Sequence, residues 1–378
     1  MKIFYDCNAL TSKPSGVGRV SLSLLKSLLE KRQNDSFILF SFNNNIALKE
    51  LSLYKNVEIR IIRTIPQKLY NLFMRWGLSI PLELLGLGGG DLYIFPDFVS
   101  YSSIIKKNKI SIIHDLAFKY YPEYISHKNL KYLNRQLPKS IRRSCIILTI
   151  SKSTQKDIVK YYDVKKNKVK LFSLGVDHDL FKSVAKLRVD LLKKYDIPGD
   201  FILFIGNIEP RKNIKLMIEA YIDSYSAHRL ALVMVGQKGW KDDEINKTLV
   251  KYQNYPIKML DYVQDSDLPR LYSSAKLFLY LSLYEGFGLP IIEAMACGCP
   301  VISGDSSSLP EASGGASLLI HPSTPEIISS SINKLLQDKI LRKYLIDKGL
   351  EWSNNFSWDR SGAEFSKIID DFLLSQGS

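Results

Sequence analysis

The stretch Leu277–Ser303, LFLYLSLYEGFGLPIIEAMACGCPVIS, decides how this chain is read. It opens on an apolar run of strand length, Leu277–Leu281, and passes two glycines, Gly286 and Gly288. Helix-spaced apolar residues follow, and the stretch closes on a second strand-like run, Pro300–Ser303. Strand, glycine loop, helix and strand is the sequence form of a parallel unit whose crossover helix returns the chain to the same end of the sheet. Pro290 suits the first helical turn, where its missing N–H costs nothing. The glycines remove side chains where the backbone must turn or approach a ligand. Glu285 stands before the helix and Glu293 inside it. Free N–H groups and two acids therefore fall at the carboxyl edge of a parallel sheet, where open α/β sheets bind ligands. Carboxylates there suit vicinal hydroxyls such as those of a ribose or a hexose; the plainer reading is that they complement the helix dipole.

The same alternation runs outward in both directions. Towards the N-terminus, strand-like runs stand at Ile3–Cys7, Phe37–Phe42, Val57–Ile62, Leu92–Phe95, Ile110–Ile113 and Ile146–Ile150, with Val20, Leu24, Leu25 and Leu28 marking one face of a helix. The second half repeats the pattern at Phe201–Ile205, Leu230–Val235, Ile257–Leu260, Leu277–Leu281, Pro300–Ser303 and Ser317–Ile320. The fold class is α/β, two Rossmann-like units in tandem, as the length of 378 residues suggests. Ser173–Asp200, with Gly175, Pro198 and Gly199, reads as the linker. Trp352–Leu374 is helical in pattern.

Three further clusters fall at strand ends. Gly206–Asn213, GNIEPRKN, follows the strand Phe201–Ile205 and sets Arg211 and Lys212 where a diphosphate would lie. Ser15–Arg19, SGVGR, links the first strand to the first helix; without a full G-x-G-x-x-G it disfavours a dinucleotide. His114 and Asp115 follow Ile110–Ile113, and a histidine there can donate to a sugar hydroxyl or to a developing charge. Asp177-His-Asp179 and Asp265-Ser-Asp267 have the D-x-D form of a metal site. The second reads instead as a helix cap before Leu268, and the first lies in the linker. With cations present to offset a leaving diphosphate, no metal is expected.

The formal net charge of +14 is uneven: residues 1–180 hold 29 Lys and Arg against 14 Asp and Glu, residues 181–378 hold 23 against 24. A basic half suits an anionic membrane surface or a polyphosphate, or is simply a solvated lysine-rich face. Nucleic acid is not expected, because no helix-turn-helix, RNP-like or zinc pattern accompanies the charge. Cys7, Cys145, Cys297 and Cys299 form neither a zinc pattern nor a disulfide framework, which fits a reducing compartment. MKIFYDCNAL lacks a signal-peptide pattern, and no apolar run reaches the length of a membrane span. The expected location is the cytoplasm, at most peripheral at the inner face of the cytoplasmic membrane.

These residues together resemble glycosyltransferase family 4, the retaining GT-B enzymes, over nearly the whole chain. The resemblance rests on EGFGLPIIE at 285–293, SGVGR at 15–19, HDLAF at 114–118, LGVD at 174–177, GNIEPRKN at 206–213, SSLPEASGGASLLIHP at 307–322 and FSW at 356–358. It implies two Rossmann-like domains facing across a cleft: an acceptor domain at 1–175, a nucleotide-sugar domain at 176–355 and a terminal helix, 356–378, crossing back to the first. Glu293 would hold the ribose hydroxyls and Glu285 the donor hexose. Lys212 and Arg211 would bind the diphosphate and stabilise its charge as the glycosidic bond breaks. Gly16 and Gly18 would approach the phosphates and His114 the donor sugar. Gly206, Asn207, Gly286, Phe287, Gly288 and Leu289 would complete the donor site. Many members carry arginine where Asn207 stands, and Arg211 is expected to substitute. No nucleophile is evident, so catalysis is assigned to orientation and electrostatics, and no cofactor is expected.

The chain is similar to bacterial enzymes of O-antigen, capsule and other surface polysaccharides, many of them mannosyltransferases. GDP-mannose is the first expected donor, with UDP-glucose, UDP-N-acetylglucosamine and dTDP-rhamnose as alternatives. A glycan or a polyprenyl-diphosphate-linked oligosaccharide is the expected acceptor. A hydrolysing nucleotide-sugar epimerase would need an acid/base set that is not evident, and a silent scaffold would not need intact Glu285, Glu293, Arg211, Lys212 and His114.

Overall fold

The structure is a computed structural model describing residues 1–11, 16–44, 46–184, 188–237, 239 and 243–377. Ser15 of the SGVGR loop lies outside the described residues. The chain forms two compact units: Met1–Phe118 with Ser126–Gly175 and Trp358–Ser378, and Lys119–Ile125 with Val176–Ser357. Chain order alone does not show that Lys119–Ile125 groups with the second unit.

The first unit holds seven strands: β1 (Lys2–Asp6), β2 (Ser36–Ser41), β3 (Val57–Ile61), β4 (Leu92–Phe95), β5 (Lys109–Ile113), β6 (Ile146–Thr149) and β7 (Val169–Leu171). All pair in parallel in the order β3-β2-β1-β4-β5-β6-β7. The second holds six: β8 (Phe201–Ile205), β9 (Ala231–Val235), β10 (Ile257–Leu260), β11 (Leu277–Tyr280), β12 (Val301–Gly304) and β13 (Leu318–Ile320). Its order, β10-β9-β8-β11-β12-β13, is the same winding, again all parallel. In each sheet the strand order reverses beside its first strand, between β1 and β4 and between β8 and β11. Helices leave in opposite directions there, which opens a crevice at the carboxyl ends.

Central strands such as β4, β9 and β11 are buried at every position, as parallel strands covered on both faces must be. The helix Gly16–Lys31 buries Val20, Leu24, Leu25 and Leu28, the face read from the sequence. The helix Trp358–Gly377 packs on it within the first unit. Ser27 Oγ donates to the Trp358 carbonyl at 2.7 Å, and Arg32 donates to Ser366 Oγ and Asp370.

Three sequence readings are corrected. Trp352–Leu374 is not one helix: Lys339–Ser353 ends, and a turn brings Phe356 onto Trp352 and Phe287 before Trp358 starts the next. The linker stretch 173–200 contains the helix Arg188–Lys194. Asp267 precedes Leu268 but makes no side-chain cap; its carboxylate binds Lys194 Nζ at 2.6 Å and Tyr195 Oη at 2.7 Å, with Arg270 at 3.4 Å. A paired cation outcompetes a backbone N–H for it.

Candidate active site

In the second unit the crevice falls where the two strongest motifs meet. The loop after β8 runs Gly206–Glu209 into a single turn, Pro210–Lys212, and then the helix Ile214–His228. The loop after β11 runs Leu281–Gly288 into the helix Leu289–Ala296. Gly288 sits at φ +116°, a conformation that L side chains rarely adopt, and Pro290 occupies the first helical turn. Because β8 and β11 are neighbours, their loops interlock: Leu283 N donates to the Arg211 carbonyl at 2.9 Å, and the Arg211 guanidinium donates to the Tyr284 carbonyl.

The charged groups are gathered tightly. Lys212 Nζ pairs with Glu285 Oε1 and donates to Tyr280 Oη at 3.0 Å; Tyr280 Oη donates to the same carboxylate oxygen at 3.1 Å. Arg211 reaches Glu285 Oε2 at 3.2 Å and Glu209 Oε1 at 2.6 Å. Lys212 and Glu285 are both buried. Burial alone would raise the Glu285 carboxyl, but Lys212 and Arg211 outweigh it and hold it at about 2. For Lys212, burial favours loss of the proton, and Glu285 more than reverses that. Burial and the Glu285 charge push Tyr280 up to about 12, so it stays a donor.

The sequence reading sent Glu285 to a sugar and Lys212 to a phosphate; the structure binds them to each other. Two cations face two carboxylates, Glu209 and Glu285, so an incoming diphosphate would share or displace existing pairs. The cluster is polar, fully charged and pre-aligned, the arrangement that stabilises developing negative charge without reorganisation.

The loop that carries SSLPE supports it. Ser307 Oγ accepts from Glu285 N at 2.8 Å, and Ser308 Oγ donates to the Glu285 and Phe287 carbonyls at 2.8 and 2.9 Å. Tyr120 of the Lys119–Ile125 segment stacks on Tyr284, ring centroids 5.0 Å apart. Gly236, after β9, lies so close that a Cβ there would stand 1.8 Å from the Gly206 carbonyl oxygen. Asn207 is exposed. Glu293 accepts from Tyr272 Oη at 3.0 Å.

The first unit has its own group at its switch point. Gly16 opens the first helix and is exposed, whereas Gly18 is buried. His114, directly after β5, is buried, and its Nε2 lies 2.7 Å from the Pro96 carbonyl. A carbonyl only accepts, so Nε2 carries the proton and Nδ1 is left for a ligand. Phe98, at φ 50°, holds a strained left-handed conformation and lays its ring against His114.

Sequence reasoning missed Asp6, at the carboxyl end of β1. It is buried and accepts from Asn8 N at 2.9 Å and Asn8 Nδ2 at 2.6 Å; Asn8 Nδ2 also reaches Tyr101 Oη at 2.9 Å. Burial raises its carboxyl to about 7, against the Asn8 hydrogen bonds and with help from the Asp97 charge. An acid ending an apolar strand just before a glycine loop is the signal that could have found it. Tyr280 was absorbed into the apolar run Leu277–Leu281 and Tyr272 fell in no motif, and nothing in a one-dimensional pattern separates either from core. Among the described residues no cluster of three or more His, Cys, Asp or Glu could hold a metal ion.

The fold is thus α/β of the GT-B kind, two Rossmann-like parallel-sheet domains with charged crevices at their switch points. Residues 192–352 match the model for glycosyl transferases group 1. The chain is similar to O-antigen chain mannosyltransferase B of Escherichia coli, 30% identical over 377 residues, which cover 95% of this chain and 97% of that one. It is also 30% identical to the serotype-specific mannosyltransferase WbdA of Escherichia coli over 261 residues, 66% of this chain and 32% of that longer protein. The fold resembles that of Anabaena HepE, crystallised with UDP and glucose, at a TM-score of 0.71 and 16% identity over 98% of this chain and 100% of that one. The chain belongs to the glycosyl transferases group 1 family and is a glycosyltransferase.

Proposed function

We propose that this enzyme, read more narrowly as a member of glycosyltransferase family 4, transfers mannose from GDP-mannose, with retention, to a growing surface glycan. The acceptor would be an O-antigen-like chain or a polyprenyl-diphosphate-linked oligosaccharide. The observation that carries this reading is the buried Lys212–Glu285–Tyr280 group, clamped by Arg211 at the switch point of the second sheet. A mannosyltransferase aligned over 97% of its length supports the sugar and the pathway class.

In this reading Lys212 and Arg211 turn to the diphosphate as the glycosidic bond weakens, and the Glu285 loop receives the hexose. The backbone of Gly206, Asn207 and Gly286–Leu289 lines the nucleotide-sugar, and Glu293 exchanges its Tyr272 partner for ribose hydroxyls. Gly16, Gly18 and His114 keep the donor-binding roles that the family resemblance implies. Front-face attack within an ion pair needs charge stabilisation and orientation from the protein, and no covalent nucleophile or metal.

Thermal shift against GDP, UDP, dTDP, ADP and their sugar conjugates tests the donor, since a ligand that binds only the folded state raises Tm. A shift confined to GDP and GDP-mannose is the expected result. A UDP-selective shift would retain the enzyme class and replace the donor. No shift with any nucleotide would overturn the reading. The anomeric configuration of the first product, followed by NMR, tests retention.

A further inference from the structure

The helix Gln67–Arg75 in the first unit is apolar on two opposite faces. Tyr70 and Met74 point inward to a core that includes Phe4, Phe40, Leu82 and Phe95. Leu69, Leu72 and Trp76, spaced i, i+3 and i+7, form a second stripe on the outside, with Trp76 63% exposed. The stripe is extended by Leu84, Ile104 and Ile105, each more than half exposed. These belong to one region, since Ile104 N donates to Glu83 Oε2 at 3.0 Å and Ser102 bridges to Pro81. Scattered exposed leucines are ordinary; six large apolar side chains exposed over neighbouring segments are not.

The charge around them has one sign. Residues 67–84, 102–107 and 127–143, which build this region, contain ten lysines and arginines and one acid, Glu83. Lys68 and Arg75 flank the outer stripe and are exposed. Arg135 donates to the Arg75 carbonyl at 2.9 Å and Lys139 to the Gly77 carbonyl, adding cations at the helix's C-terminal end. Among the described residues Lys68, Arg75 and Lys106 have no carboxylate within ion-pair distance. Burying this surface against an ordinary protein would strand those cations. An anionic bilayer accepts both parts: headgroups take the cations, and the acyl boundary takes leucine, isoleucine and a tryptophan, the side chain most at home at that interface.

We infer that the outer stripe Leu69–Leu72–Trp76, with Leu84, Ile104 and Ile105 beside it, docks the first unit on an anionic lipid bilayer. The inference takes from the proposed function only that the acceptor is lipid-linked. It gives part of the basic N-terminal half a defined surface, with exposed Lys68, Arg75 and Lys106 on the segments that carry the apolar stripe.

The test is co-sedimentation of the full chain with phosphatidylcholine vesicles, with and without phosphatidylglycerol. Three proteins are compared: wild type, Leu72→Ser/Trp76→Ser, and Lys68→Glu/Arg75→Glu. All four side chains are exposed, so unchanged Tm values serve as the folding control. Wild type is expected on the anionic vesicles and not on the neutral ones. Each double variant should partition at least about tenfold less: each removed apolar side chain forfeits a burial worth roughly a decade of affinity, and each reversed cation exchanges headgroup attraction for repulsion. High salt should weaken wild-type binding without abolishing the difference between wild type and the serine variant. Serine-variant binding equal to wild type overturns the inference. So does a wild type that ignores anionic vesicles, including one that instead forms a dimer broken by the same substitutions. Sugar transfer to a soluble acceptor is scored in parallel: if it persists in the variants, the enzymatic reading stands whatever the vesicles show.

Discussion

Lys212→Met is the most informative single change, because it removes one partner of a buried ion pair and leaves the other in place. Glu285 would retain Arg211, at 3.2 Å, the Tyr280 hydroxyl and the Ser282 side chain. Orphaning a buried charge costs about 3–5 kcal/mol. The descent of the Glu285 carboxyl from 4.5 to about 2 corresponds to about 3 kcal/mol, what its partners contribute net of the cost of burial. With Arg211 remaining, a loss of about 2–3 kcal/mol is expected. Urea unfolding of wild type, Lys212→Met, Glu285→Gln and the double variant measures it. Stability is the readout, since both residues are also assigned to the donor. The coupling between the two sites should reach about 1–3 kcal/mol. The pH profile adds a second check. A depressed carboxyl contributes its stability fully above its unfolded value of 4.5 and loses it as pH falls through about 2. In Lys212→Met that acid limb should move towards neutral pH. A single-variant cost below about 1 kcal/mol, or additivity within about 0.5 kcal/mol, would refute the buried pair.

Asp6 behaves in the opposite sense. Its folded value, raised to about 7, makes the carboxylate a cost above pH 7 that is returned as pH falls towards 4, so Asp6→Asn should stabilise at pH 8 by about 1–3 kcal/mol and do nothing below pH 4; equal Tm values at pH 8 would contradict this. Gly236→Ala would drive a methyl into the Gly206 carbonyl, and a loss of about 2 kcal/mol or more with weakened nucleotide shifts is expected in calorimetry. Glu293→Ala should weaken donor binding about tenfold or more, as a charged hydrogen-bond partner is lost, with Tm of the free enzyme moving by only a few degrees; unchanged affinity by calorimetric titration would remove Glu293 from the donor site.

The architecture was legible because it rests on local patterns. Twelve strands stood out as apolar runs, and each run overlaps a strand within a residue or two at its ends. β7 escaped, being three residues long with Lys170 and Leu171 exposed, so it has no apolar run to display. The break at Asn354–Ser357 escaped for a related reason: its cause is Phe356 packing on Phe287, a residue far away in sequence. Asp267 looked like a cap because Ser and Asp before a helix usually are caps, and only the fold shows Lys194 and Tyr195 beside it.

By itself the sequence determined the α/β class, the two glycine loops and the residue types gathered at the strand ends, since strand length, helix periodicity and backbone freedom are properties of neighbouring residues. It also determined that the positive charge is concentrated in the first half. Which charges face which was decided by tertiary structure. Lys212 meets Glu285 because β8 and β11 lie side by side, and His114 commits Nε2 because Pro96 follows the strand beside it. Pairing energies depend on distance and burial, and residues 73 positions apart in the chain acquire both only when the sheet forms.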